Sequence, residues 1–195
     1  MKKSTSPLFD YHDSGSTKRK YGRTCHGGIS SKGKRKEYRP LSERKWIHLT
    51  LKSTKAKGAW SFLTPKNRQI VNQILKEKSK KWGVQIAEVV NVGNHLHIKL
   101  RFSYREGFQN FLRSVTSLIA RKITNTRRGH PIGQFWQGLA FTRVIKTRIE
   151  ELQLKGYFKA NKIQATKGEK ARAQFLDHFN MWVLSLRDGI IAATG

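Results

Sequence analysis

The chain has 195 residues, with 40 Lys and Arg against 12 Asp and Glu and a formal net charge of +28. Ten phenylalanines and a 37% hydrophobic fraction supply a core and exclude a wholly disordered chain. The single cysteine excludes an intramolecular disulfide framework and a cysteine-built zinc ribbon. No apolar run approaches the ~18–20 residues of a membrane span, and the N-terminus lacks the apolar stretch of a signal peptide. So large a positive excess repels itself when compact, and a polyanion relieves it. The expectation is a cytoplasmic protein whose partner is nucleic acid, with no membrane association.

Residues 1–45 carry 13 Lys/Arg against four Asp/Glu, many serines and few aliphatics. No helical or strand period runs through them, so they are expected to form a basic arm, extended until it meets a phosphate backbone. Tyr21 and Tyr38 lie among the charges, where they can stack on bases. Cys25-His26 is a lone pair of potential ligands with no second cysteine to complete a site.

Regular structure is expected from Trp46. Ile47-His48-Leu49-Thr50-Leu51 alternates as a strand does. Thr64-Pro65 has the form of an N-cap followed by proline at the first helical position. Ile70, Ile74, Leu75 and Trp82 then mark a helix ending at Gly83. Val84 to Val90 and His95 to Phe102 are strands, joined by a turn through Asn91-Val92-Gly93-Asn94. Phe108, Phe111, Leu112, Val115, Leu118, Ile119 and Ile123 repeat at three and four, the mark of an amphipathic helix. A basic loop with Arg127 and Arg128 follows, and Phe135 to Ile145 is a further strand or hairpin. Helices are expected from about Arg148 to Gln164 and from about Lys170 to Arg187, the latter with Ala171, Phe175, Phe179, Val183 and Leu186 on one face. The order β-α-β-β-α-β followed by two helices predicts an α+β fold. It is a ferredoxin-like, split βαβ antiparallel sheet with helices on one face, plus a C-terminal helix and the basic arm.

His95-Leu96-His97 is the sharpest local feature. Side chains alternate along a strand, so Leu96, Ile98, Leu100 and Phe102 face the core. His95, His97, Lys99 and Arg101 then point out of the opposite face. Two imidazoles at i and i+2 stand side by side and can share one divalent metal. Lys99 and Arg101 continue the row with phosphate-binding charge. Taken alone, a His-x-His pair on an exposed strand is also met as surface decoration.

Tyr157 and Asn161 are four apart on the next-to-last helix and stand one above the other. Ile149, Leu152, Gly156, Ala160 and Ile163 form the face expected to pack on the sheet. Tyr157 and Asn161 are then about 100° round from it, at the rim. From there a hydroxyl and an amide oxygen can reach a metal held by the histidines. The commoner use of such a tyrosine is as a half-buried anchor for its helix.

Together these residues resemble a family. Gly93-Asn94-His95-Leu96-His97 resembles the histidine–hydrophobic–histidine motif of HUH single-strand DNA transposases. Phe135-Trp136-Gln137-Gly138 is similar to the segment before their catalytic helix. Leu154-Lys155-Gly156-Tyr157-Phe158-Lys159-Ala160-Asn161 is similar to the helix carrying their tyrosine, with an amide residue four further on. The likeness is greatest to the single-tyrosine, REP-associated transposases of the IS200-like group. It covers residues 46–165 and departs at Lys162, where many relatives have proline. It implies a catalytic domain over 46–165; the basic arm over 1–45 and a C-terminal helical extension over 166–195 lie outside it.

The resemblance also implies a mechanism. His95, His97 and Asn161 would hold a divalent metal, Mg²⁺ or Mn²⁺, leaving positions for the scissile phosphate. Tyr157 would attack phosphorus, release a 3′-hydroxyl and form a 5′-phosphotyrosine bond. The charge and position of Lys99, Arg101, Arg127 and Arg128 make them the expected DNA-binding residues, and the resemblance implies single-stranded DNA with hairpins as the substrate. A second copy of the chain is a further partner the family implies, since relatives include homodimers. Two other readings stay open: a nucleic-acid-binding relative that no longer cleaves, and another HUH nuclease such as a replication initiator or relaxase.

Overall fold

The structure, a computed structural model, describes residues 24–28, 38–126 and 133–192. These residues form two compact units that divide between Lys146 and Thr147.

The first unit is a five-stranded sheet with two helices. Its strands are β1 (Cys25–His26), β2 (Ile47–Lys52), β3 (Val84–Asn91), β4 (His95–Phe102) and β5 (Phe141–Val144), in the spatial order β1-β5-β2-β4-β3. Every neighbouring pair is antiparallel. Helix α1 (Pro65–Lys81) follows β2, and α2 (Arg105–Thr124) follows β4. Without β1 this is the expected β-α-β-β-α-β order, with β2 and β4 side by side at the centre.

Local chemistry sets the ends of α1. The Thr64 hydroxyl accepts a hydrogen bond from the Asn67 amide, and Pro65 stands in the first turn. After the helix, Gly83 takes a φ of +61°, a left-handed conformation that glycine reaches without a Cβ penalty. One face of the sheet supplies Ile47, Leu49, Leu51, Leu96, Ile98, Leu100 and Phe102. Against them pack Val71, Ile74 and Leu75 of α1 and Phe108, Phe111, Val115 and Ile119 of α2. Each such side chain, taken fully out of water, contributes roughly 1.5–3 kcal/mol before the entropy cost of ordering it.

Two expectations change. The segment from Phe135 is strand only at Phe141–Val144. Before that, Ser53 Oγ donates to the Phe135 carbonyl and the Gln137 amide to the Lys52 carbonyl, which ties the chain down as a loop. The arm, in turn, contributes β1, which pairs Cys25 with Arg143 and His26 with Thr142. A two-residue strand is too short to show a period. Gly27 makes this docking possible: it has a φ of +85°, and a Cβ there would lie 2.1 Å from the Ala140 carbonyl oxygen. Arg39 donates to the Ala140 carbonyl oxygen and to Thr142 Oγ1, both at 2.8 Å. Tyr21, Arg127 and Arg128 lie outside the described residues, as does the side chain of Leu186.

The second unit contains α3 (Arg148–Lys167) and α4 (Glu169–Ala192). A capping box starts α3: Thr147 Oγ1 accepts from the Glu150 amide, and the Glu150 carboxylate accepts from the Thr147 amide. The helices meet where α3 has no side chain, at Gly156, whose missing Cβ leaves room for the Phe179 ring. Phe179 stacks on Phe175 with centroids 5.8 Å apart.

Candidate metal and nucleophile residues

The face of the sheet turned away from α1 and α2 is polar, and register decides its membership. Directly opposed residues of an antiparallel ladder share a face. Thr50 stands opposite His97 and Phe141, Lys52 opposite His95, and His48 opposite both Lys99 and Arg143. Glu88 on β3 stands opposite Lys99.

His95 and His97 do stand side by side, with ring centroids 4.7 Å apart and planes nearly perpendicular. The expectation that their row points out of an open face is corrected. His97 is 1% exposed and Lys99 6%, and of the four residues only Arg101 is exposed rather than buried or half-buried. The row is a packed layer: His48 lies against His97, with centroids 5.2 Å apart. Lys99 and Arg101 both lie over the Trp46 ring, at 4.9 and 5.1 Å from its centroid. Arg101 Nε also donates to Gln85. The cations of this face are therefore held by an indole and by strand neighbours.

The outer nitrogens of the pair are engaged. His95 Nδ1 is 2.6 Å from Asn94 Oδ1. An amide oxygen only accepts, so Nδ1 carries the proton and Nε2 carries the lone pair of the neutral ring. His97 Nδ1 lies 3.1 Å from His48 Nε2 and 3.2 Å from Thr50 Oγ1. Such support at the second nitrogen is what a metal-binding imidazole needs, and the donor set fits a divalent cation ligated through both Nε2 atoms. Among the described residues no group of three His, Cys, Asp or Glu is arranged to hold a metal ion.

Tyr157 and Asn161 lie in the second unit, on α3. They are not at a rim: Tyr157 is 5% exposed and Asn161 1%. The buried residues of α3 are Leu154, Gly156, Tyr157, Phe158, Ala160 and Asn161, so Gly156 and Ala160 of the expected face are buried while Ile149 is exposed. The apolar pattern marks only part of this arc, because Tyr157 and Asn161 carry polar groups and are buried with it. Asn161 Nδ2 donates to the Tyr157 carbonyl oxygen at 2.8 Å, which turns Oδ1 away from that carbonyl. Burial pushes the Tyr157 phenol above its usual pKa; a hydrogen bond from the Asn161 side chain and the charge of Arg172 pull the other way.

His48 and Thr50 were legible but unused. His48, Thr50 and Lys52 alternate along β2 just as His95, His97 and Lys99 do along β4. Placing the two strands side by side predicts that their polar faces coincide.

No protein-family model matches the chain, and no curated protein matches it. Among solved structures, it is similar to a REP-associated tyrosine transposase bound to a REP hairpin. That likeness has a TM-score of 0.55 and 12% sequence identity, covering 70% of this chain and 77% of the other. This chain shares that fold. A candidate transposase of Deinococcus radiodurans R1 is similar at a TM-score of 0.42 and 14% identity, over 65% of this chain and 98% of the other. Among the described residues, no helix is long and apolar enough to cross a membrane.

Proposed function

We propose that the chain is a metal-dependent, single-stranded DNA transposase that nicks and rejoins DNA at hairpin sequences through a 5′-phosphotyrosine intermediate. The observation that carries this reading is the His95–His97 pair, side by side on a central strand with Nδ1 of each ring held by a neighbour. The fold is one that a tyrosine transposase uses.

In this reading His95, His97 and Asn161 would hold Mg²⁺ or Mn²⁺. The ion, when bound, offsets charge on the phosphate and on the departing oxygen. Tyr157 Oη attacks phosphorus as the bond to the 3′-oxygen breaks, with net transfer of the phenolic proton to that oxygen. In the second step a 3′-hydroxyl attacks the phosphotyrosine and the phenol is regenerated. One phosphodiester replaces another, so no nucleotide cofactor is consumed. Burial keeps the phenol protonated at rest, and Arg172 and Asn161 favour the phenolate as it forms. Arg101 and the other cations of the sheet face attract the strand, and a positive excess of this size favours any nucleic acid.

One observation favours a second reading, a DNA-binding relative that no longer cleaves: Tyr157 is buried and its pKa raised. Incubation with hairpin-containing single-stranded DNA and Mn²⁺, followed by a denaturing gel, separates the two. A covalent protein–DNA band is expected. Hairpin binding without any band would give the protein to the second reading.

A further inference from the structure

His48 is fully buried, on a strand that carries no residue of the proposed cation site. Its Nε2 lies 3.1 Å from His97 Nδ1, and Thr50 Oγ1 lies 3.2 Å from both nitrogens. Between two imidazole nitrogens only one proton can sit. If His48 donated it, His97 would accept at Nδ1, and its own proton would have to sit on Nε2. That places a hydrogen on the nitrogen a metal needs. If His97 donates, Nε2 keeps its lone pair.

We infer that His48, together with Thr50, is a positioning residue that holds His97 as its Nδ1–H tautomer and so makes Nε2 a metal ligand. The inference rests on the reading of His95 and His97 as a cation pair. Unconstrained neutral imidazole in water favours the opposite tautomer, so an acceptor behind the ring is needed to reverse that preference. His95 has such an acceptor in Asn94 Oδ1, at 2.6 Å. The two rings of the pair are thus set by different means, one by an amide of the preceding turn and one by a histidine of the neighbouring strand. His48 does not serve as a third ligand here, because its Nε2 is directed at the back of the His97 ring. Thr50 keeps the geometry from slipping: its hydroxyl touches both nitrogens and stands opposite His97 in the ladder.

The test begins with the metal-free, unsubstituted protein. Long-range ¹H–¹⁵N correlation of the ring nitrogens should show His97 protonated at Nδ1 and His48 unprotonated at Nε2. A His97 protonated at Nε2 would overturn the inference with no variant needed. His48→Leu fills similar space without an acceptor. It should move His97 toward the Nε2–H form and weaken Mn²⁺ binding about 10–100-fold, read by calorimetry. His48→Gln carries an acceptor oxygen near the position of Nε2 and should restore both. A His97 tautomer unchanged in His48→Leu would also sink the proposal. If the tautomer follows His48 as expected but the unsubstituted protein binds no Mn²⁺, the positioning role stands and the cation reading fails.

Discussion

Asn161 Nδ2 and the Tyr157 carbonyl oxygen are 2.8 Å apart, so the amide is bonded back onto the helical turn that carries the phenol. The Asn161 side chain is therefore anchored on the backbone of the helix that carries Tyr157. Whatever presents Tyr157 to a substrate presents Asn161 with it.

Tyr157→Phe removes the hydroxyl and keeps the ring in its buried place. Adduct formation with hairpin DNA should fall at least about 10³-fold, with hairpin affinity nearly unchanged. Stability should move by no more than about 1 kcal/mol, the worth of one hydrogen bond. A gel and a binding titration on the same oligonucleotide check both. Adduct at the normal rate would mean that another residue is the nucleophile.

The raised pKa of Tyr157 makes stability depend on alkaline pH. A group whose pKa is higher folded than unfolded contributes stability below its unfolded value, about 10 for tyrosine, and loses it as pH rises through the folded value. Urea midpoints should therefore fall more steeply above about pH 10 in the parent than in Tyr157→Phe. Parallel curves would show that the phenol is not held in the environment described. In the same range below unfolding, adduct should form faster as pH rises, since phenolate is the better nucleophile.

His95→Ala and His97→Ala should each abolish cleavage while leaving hairpin binding in place, because two ligands on one strand act as a unit. EDTA should reproduce the loss in the parent and Mn²⁺ should reverse it. Cleavage undiminished by EDTA would take the metal out of the mechanism.

Salt dependence separates the parts of the basic arm. Residues 1–23 carry six Lys/Arg and two Asp/Glu, an excess of 6 − 2 = +4. If half of that engages phosphates, removing them should flatten the slope of log K against log salt by roughly 1.4. Removal through residue 45 also takes away β1 and both Arg39 hydrogen bonds. It should lower stability by at least about 1.5–3 kcal/mol, the worth of a hydrogen bond to a charged group. A salt titration and a thermal melt on the two truncations test this.

The sheet was legible because its central strands alternate cleanly and Thr64-Pro65 and Gly83 punctuate α1. The histidine pair was legible from the same alternation. The burial of Tyr157 was not, because α3 buries Tyr157, Phe158 and Asn161 beside the small residues Gly156 and Ala160, a wider arc than the apolar pattern marks. Nor was β1: two residues have no period, and what holds them is Gly27 and a partner strand more than a hundred residues on. His48 fell between these cases. Its strand is legible from alternation, but its role depends on register with β4, a pairing that no single strand announces.

The β3–β4 ladder carries a register shift between Ile86 and Glu88, and it bears on self-association. β3 is the outer strand at its end of the sheet, eight residues long, with backbone groups that a foreign strand can copy. The register shift breaks that template in the middle, and a bulge adds local twist. Charge at Glu88 further discourages a like strand from lining up beside it. Among the described residues, the β3 edge is kept from becoming a seed for aggregation by a single misplaced residue in the ladder.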